Sequence, residues 1–150
     1  MQKRFKSIFD IIGPVMVGPS SSHTAGAVRI GNVARIILND ELDRVLFYLY
    51  GSFADTYKGH GTDVALGGGI LGMATDDPAI PTSLLLAKEN GIDMTFIPLA
   101  DDVEHPNTVE IIMYAKSGRK VRVRAVSIGG GSISIIGIND IVVSMDGAVP

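Results

Sequence analysis

Apolar residues recur at helical spacing in Phe5, Ile8, Phe9 and Ile12, which predicts a short helix over residues 4–12 that stops before Gly13-Pro14. A second apolar series, Val28, Ile30, Val33, Ala34, Ile36, Ile37 and Leu38, predicts a helix over 25–38, ended by Asn39-Asp40. Val45 to Tyr50 is an unbroken apolar and aromatic run and reads as a buried strand. Residues 53–58 read as a short helical connection. Val64, Ala65, Gly68, Leu71 and Gly72 then share one helical face, with Thr62 as its cap, although the triplet Gly67-Gly68-Gly69 opposes helix formation. Pro81-Thr82-Ser83 opens a further helix that runs to Asn90 and stops at Gly91.

From there the period changes from helical to alternating. Ile92 to Pro98 predicts a strand, and Thr108–Ala115 with Lys120–Ile128 predicts a hairpin around Ser117-Gly118. Val121, Val123 and Ala125 alternate with Arg122 and Arg124, so one face of that strand meets the core. Gly129-Gly130-Gly131 interrupts the sheet before two last strands, Ser132–Ile138 and Ile141–Met145. Helices first and strands afterwards predict a single α/β or α+β domain, with a mainly antiparallel sheet and packed helices.

Composition narrows the function classes. A chain of 150 residues that is 46% apolar buries one substantial core. With 13 basic and 16 acidic residues the net charge is −3, which gives no electrostatic reason to expect nucleic acid as a partner. There is no cysteine, hence no disulfide, thiol nucleophile or thiolate-bound metal from this chain alone. No apolar run approaches the roughly 20 residues of a membrane span. The N-terminus does not read as a signal peptide, so the expectation is a cytoplasmic protein.

Chemistry concentrates in three polar turns, each holding one of the three histidines: Gly18 to Gly26 with His23, Gly59 to Asp63 with His60, and Glu104 to Asn107 with His105. Ser20, Ser21, Ser22 and Thr24 border a helix start, where hydroxyls and uncapped N–H groups either cap the helix or cradle an anion. Lys58 reads as a carboxylate contact or as a solvated surface lysine, and Asp63 as an orienting group for the His60 turn. Three histidines with Asp55 or Asp63 also raise a zinc hydrolase, but no HxH or HExxH spacing supports it. The sequence around Ser20 lacks the Gly-Lys-Ser/Thr end of a P-loop, and Gly129-Gly130-Gly131 is not a GxGxxG motif.

Together, Gly18-Pro-Ser-Ser-Ser-His-Thr-Ala-Gly26, Gly51-Ser-Phe-Ala-Asp-Thr-Tyr-Lys-Gly-His-Gly-Thr-Asp63, His105-Pro-Asn-Thr108 and Ser127-Ile-Gly-Gly-Gly131 resemble the beta subunits of iron–sulfur-dependent L-serine dehydratases. The resemblance implies conversion of L-serine to pyruvate and ammonia. It also implies a [4Fe-4S] cluster with a labile iron, held by a cysteine-bearing alpha subunit. It assigns substrate binding to Ser20, Ser21, Ser22, Thr24, Lys58, Gly61, Thr62, Asp63, His105 and Asn107, and proton transfer to His23 or His60. Many such beta subunits continue into an ACT domain that this sequence does not show, so one beta-type domain over 1–150 is expected. The same domain type resembles the allosteric substrate-binding domain of some phosphoglycerate dehydrogenases, which implies a non-catalytic serine- or anion-binding module instead. A third reading is an assembly subunit whose polar turns are merely caps. An isolated chain is expected to form a homodimer through the exposed face of the late hairpin.

Overall fold

The computed structural model describes residues 21–56, 61–100, 103 and 105–146. The helix expected over 4–12 lies outside them. The first described helix, α1 (Ser21–Leu38), starts four residues before the expected helix over 25–38, so Ser21 to Thr24 form its first turn rather than a loop ahead of it. Serine and threonine cost a helix less than about 0.7 kcal/mol each relative to alanine. The buried run Ala27, Val28, Ile30, Ala34 and Leu38 outweighs that cost. Asn39 ends the helix at φ 49°, a left-handed geometry that asparagine tolerates.

Strand β1 (Leu42–Tyr50) begins three residues earlier than the apolar run. A register shift between Leu42 and Arg44 breaks the alternation that would have revealed its start. After α2 (Gly51–Thr56), helix α3 (Thr62–Ile70) follows. Thr62 is not its cap: Gly61 holds the N-cap position at φ 79°, and Thr62 is a fully buried first-turn residue. Leu71 is the C-cap and Gly72 lies past the end, so neither belongs to the helical face. A 3-10 turn at Ile80–Thr82 leads into α4 (Ser83–Glu89), and Gly91 stops it at φ 76°.

The glycine triplet is helical because α1 crosses α3 with backbones in contact. A Cβ on Gly69 would lie 2.2 Å from the Val28 carbonyl oxygen, and one on Gly31 would lie 2.6 Å from that of Leu66. Asn32 fastens the crossing, donating from Nδ2 to the carbonyls of Gly69 and Met73 at 2.9 and 3.1 Å. These contacts offset the propensity cost of about 1 kcal/mol per glycine.

The sheet adds β2 (Asp93–Pro98), β3 (Asn107–Ala115), β4 (Lys120–Gly129), β5 (Ser132–Ile138) and β6 (Ile141–Asp146) in the order β2-β1-β3-β4-β5-β6. Among the described strands only β1 and β2 run parallel, joined by the crossover through α2, α3 and α4; the other pairings are antiparallel. Phe47, Ile111, Val123 and Ile135 carry the buried face toward the helices, and Phe47 stacks on Phe96 at 4.5 Å. The fold is thus the expected mixed α/β domain with a mainly antiparallel sheet.

Candidate functional site

Two contacts fix the direction of α1 over the sheet. Near its N-terminal end, Gly26 lies against Ser127 so closely that a Cβ there would be 2.3 Å from the serine hydroxyl. At its C-terminal end, the Leu38 carbonyl accepts a hydrogen bond from Arg119 in the β3–β4 hairpin. Helix α1 therefore runs antiparallel to β4, and the turn Ser21-Ser22-His23-Thr24 stands at the end of the sheet where β4 finishes.

Arg29 tightens the same junction, donating from Nη1 to the Gly131 carbonyl at 3.1 Å. Gly129, Gly130 and Gly131 have φ of 99°, 62° and 83°, so this β4–β5 turn follows a path that side-chain-bearing residues rarely adopt. Ser127 is fully buried on the core-facing side of β4, in line with Val121, Val123 and Ala125. Its hydroxyl in an otherwise apolar series was the available sequence signal. Arg29 had none, because its partner lies 102 residues away.

The register carries this end across to the other turns. Val126 pairs with Thr108, and Thr108 pairs with Tyr50 at the end of β1. Gly51 then bridges to Asn107, and the Ser52 amide donates to the Pro106 carbonyl at 2.6 Å. Gly51 has φ 57°, and a Cβ on it would lie 2.2 Å from the Pro106 oxygen, so this approach requires glycine. From Thr56 to Gly61 the chain spans at most about 18 Å in five extended steps, which tethers the start of α3 to this same region.

Within the His105 turn the geometry is specific. Thr108 Oγ1 donates to the His105 carbonyl at 2.6 Å, and the Asn107 amide donates to His105 Nδ1 at 3.3 Å. That leaves Nε2 to carry the proton of a neutral ring. Asn107 Oδ1 is buried and, among the described residues, has no hydrogen-bond partner. Such an acceptor costs about 1–3 kcal/mol unless something donates to it. Asp63 Oδ1 accepts from the Val64 amide at 2.7 Å, which orders the first turn of α3.

Of the residues singled out from the sequence, Thr24, Gly61, Thr62, Asp63, His105 and Asn107 are described, as is the backbone of Ser21, Ser22 and His23. Ser20, Lys58 and His60 lie outside the described residues. Among the described residues no three His, Cys, Asp or Glu side chains form a metal-binding group. A chain without cysteine also offers no thiolate set for an iron–sulfur cluster.

Residues 7–90 match the family model described as "Serine dehydratase beta chain". The chain is 49% identical over 148 residues to the "Probable L-serine dehydratase, beta chain" of Bacillus subtilis (strain 168), covering 98% of this chain and 66% of that protein. It is 49% identical over 142 residues to the "L-serine dehydratase, beta chain" of Peptoniphilus asaccharolyticus, covering 94% and 64% respectively. A more distant likeness, 30% over 153 residues, is to "L-serine dehydratase TdcG" of Escherichia coli (strain K12), covering 85% of this chain and 33% of that protein. The chain thus spans slightly less than two thirds of the two beta chains it matches.

Proposed function

This chain belongs to the serine dehydratase beta-chain family, and from that premise we propose that it is the beta component of a lyase that converts L-serine to pyruvate and ammonia. In this reaction the Cα–H and Cβ–O bonds break, water leaves, and the resulting aminoacrylate tautomerises to an imine that hydrolyses. The two beta chains it resembles support the substrate assignment.

The observation that carries the reading is convergence. Among the described residues, parts of four motifs far apart in sequence meet at one end of the sheet: Gly26 lies against Ser127, Thr108 pairs with Val126, and Gly51 bridges to Asn107. A [4Fe-4S] cluster does not fit this chain's own residues, so its cysteines belong to an alpha subunit, and the site forms where the two chains meet.

The part of this chain is to bind and orient. N–H groups in the first turn of α1, with the hydroxyls of Ser20, Ser21, Ser22 and Thr24, receive the substrate carboxylate. Lys58 is assigned to charge recognition, and Gly61 and Asp63 to the wall at the start of α3, with Thr62 buried behind them. The unpartnered Asn107 Oδ1 accepts from the substrate ammonium, and His105 donates from Nε2. His23 or His60 takes the Cα proton. No described helix is long and apolar enough to cross a membrane, and we assign the complex to the cytoplasm.

The test is pyruvate formation from L-serine after anaerobic mixing with the candidate cysteine-bearing alpha subunit, iron and sulfide, each protein being omitted in turn. Turnover that requires both chains is the expected result. Turnover by this chain alone would overturn the division of labour. A loaded complex that binds serine without turnover would favour an allosteric binding module instead.

A further inference from the structure

At the far end of the sheet, some eight residues or roughly 26 Å back along β1, lies a cleft of about 580 Å³ that the proposed reaction does not use. Its volume is within the roughly 300–1,000 Å³ of small-molecule sites. We infer that this cleft binds an α-amino acid with an aliphatic side chain.

The chemistry of the wall comes in two parts. Leu71, Leu86 and Ile92, from the end of α3, from α4 and from just before β2, supply apolar surface for a branched side chain, with Leu42 and Ile70 buried behind them. Arg35, Glu41 and Lys116 bring both signs of charge to the same cleft. Lys116 Nζ and Glu41 Oε2 are 4.0 Å apart, with 49% and 75% of their side chains exposed, so each can turn from this loose pair toward a ligand. Among the described residues the Arg35 guanidinium has no ion-pair partner.

This pairing of charges matches a zwitterion. Arg35 and Lys116 suit a carboxylate, whereas Glu41 suits an ammonium. The mouth is built in advance by backbone hydrogen bonds. Lys116 N–H donates to the Glu41 carbonyl at 2.8 Å, and Ile92 N–H donates to the Ala87 carbonyl at 2.9 Å. An apolar cleft with a few convergent polar groups is the usual form of a ligand site.

The probe is L-leucine, added to the full chain and followed by methyl and amide NMR with calorimetry. Leucine is expected to shift the methyl signals of Leu42, Ile70, Leu86 and Ile92 while leaving the amides of Asn107 and Thr108 in place. Arg35→Met should weaken binding by at least about tenfold, the loss of one charge-assisted contact. Glu41→Gln should weaken leucine but not 4-methylpentanoate, which lacks the ammonium. Arg35 is half-buried rather than in the core; should its variant melt early, Lys116→Met is the second test of the carboxylate contact. The proposal fails if leucine moves no signal of the cleft below its solubility limit. It fails equally if the folded cation variant binds leucine unchanged, if 4-methylpentanoate binds as tightly as leucine, or if the shifts gather at residues 105–108.

Discussion

Asn107 is where stability and function pull apart. Its Oδ1 is buried without a partner among the described residues, a cost that the fold alone does not require. Asn107→Ala should therefore leave the melting temperature unchanged or raise it, by the equivalent of about 1 kcal/mol or more. The same variant in the reconstituted complex should raise the KM for L-serine at least about tenfold, the loss of one hydrogen bond to a charged group. A fall in both stability and affinity would mark Asn107 as structural. Gly51 gives the opposite case. Gly51→Ala forces a Cβ to within 2.2 Å of the Pro106 oxygen at a positive φ, and overpacking of this kind typically costs about 1–3 kcal/mol. Chemical denaturation of that variant should show the loss, with the His105 turn displaced.

Elements are positioned by contacts that local pattern does not reveal. Helix α3 carries three successive glycines and is a poor helix by propensity, yet it forms because α1 needs its bare backbone. Gly69→Ala improves intrinsic propensity by about 1 kcal/mol but drives a Cβ into the Val28 carbonyl, so a net destabilisation of about 1–3 kcal/mol is expected in thermal melts. The other end of α1 is tied to the β3–β4 hairpin, where Ser117 Oγ donates to Asp40 Oδ2 at 2.7 Å. That hydrogen bond, and a second from the Glu41 amide, hold the Asp40 carboxyl below its ordinary value of 3.8. A depressed carboxylate favours the folded state fully above the ordinary value. The contribution is lost as pH falls through the lowered one. Ser117→Ala should move the Asp40 titration upward in an NMR pH series, toward 3.8. The sequence foretold where most of these elements lie. It missed the starts of α1 and β1, because hydroxyl residues tolerate a helical turn silently and a bulge scrambles strand alternation.

Across the whole molecule the sheet separates two ends with different chemistry. One brings the first turn of α1, the Gly51 and His105 turns and the β4–β5 glycine turn together; the other holds the apolar cleft with its charged residues. The end that gathers the polar turns is proposed to meet an alpha subunit, so substitutions there should lower turnover of the complex without unfolding the chain. Ser127→Ala tests this at the junction of α1 and β4: removing a buried hydroxyl beside Gly26 should loosen the first turn of α1 and reduce kcat/KM, while the sheet remains intact by circular dichroism.

The sequence by itself determined the element types, the hairpin, the inward face Val121, Val123 and Ala125, and the membership of the polar turns in a recognisable set. Those features depend on periods of two or 3.6 residues and on residue chemistry within a few positions. Only the tertiary structure decided that Ser127 meets Gly26, that Arg29 reaches Gly131, that Thr62 is buried rather than capping, and that Asn107 keeps a buried oxygen with no partner among the described residues. Each of these rests on strand register or a helix crossing. A shift of one residue in register turns every side chain of a strand to the opposite face, so such contacts exist only once the whole sheet has formed.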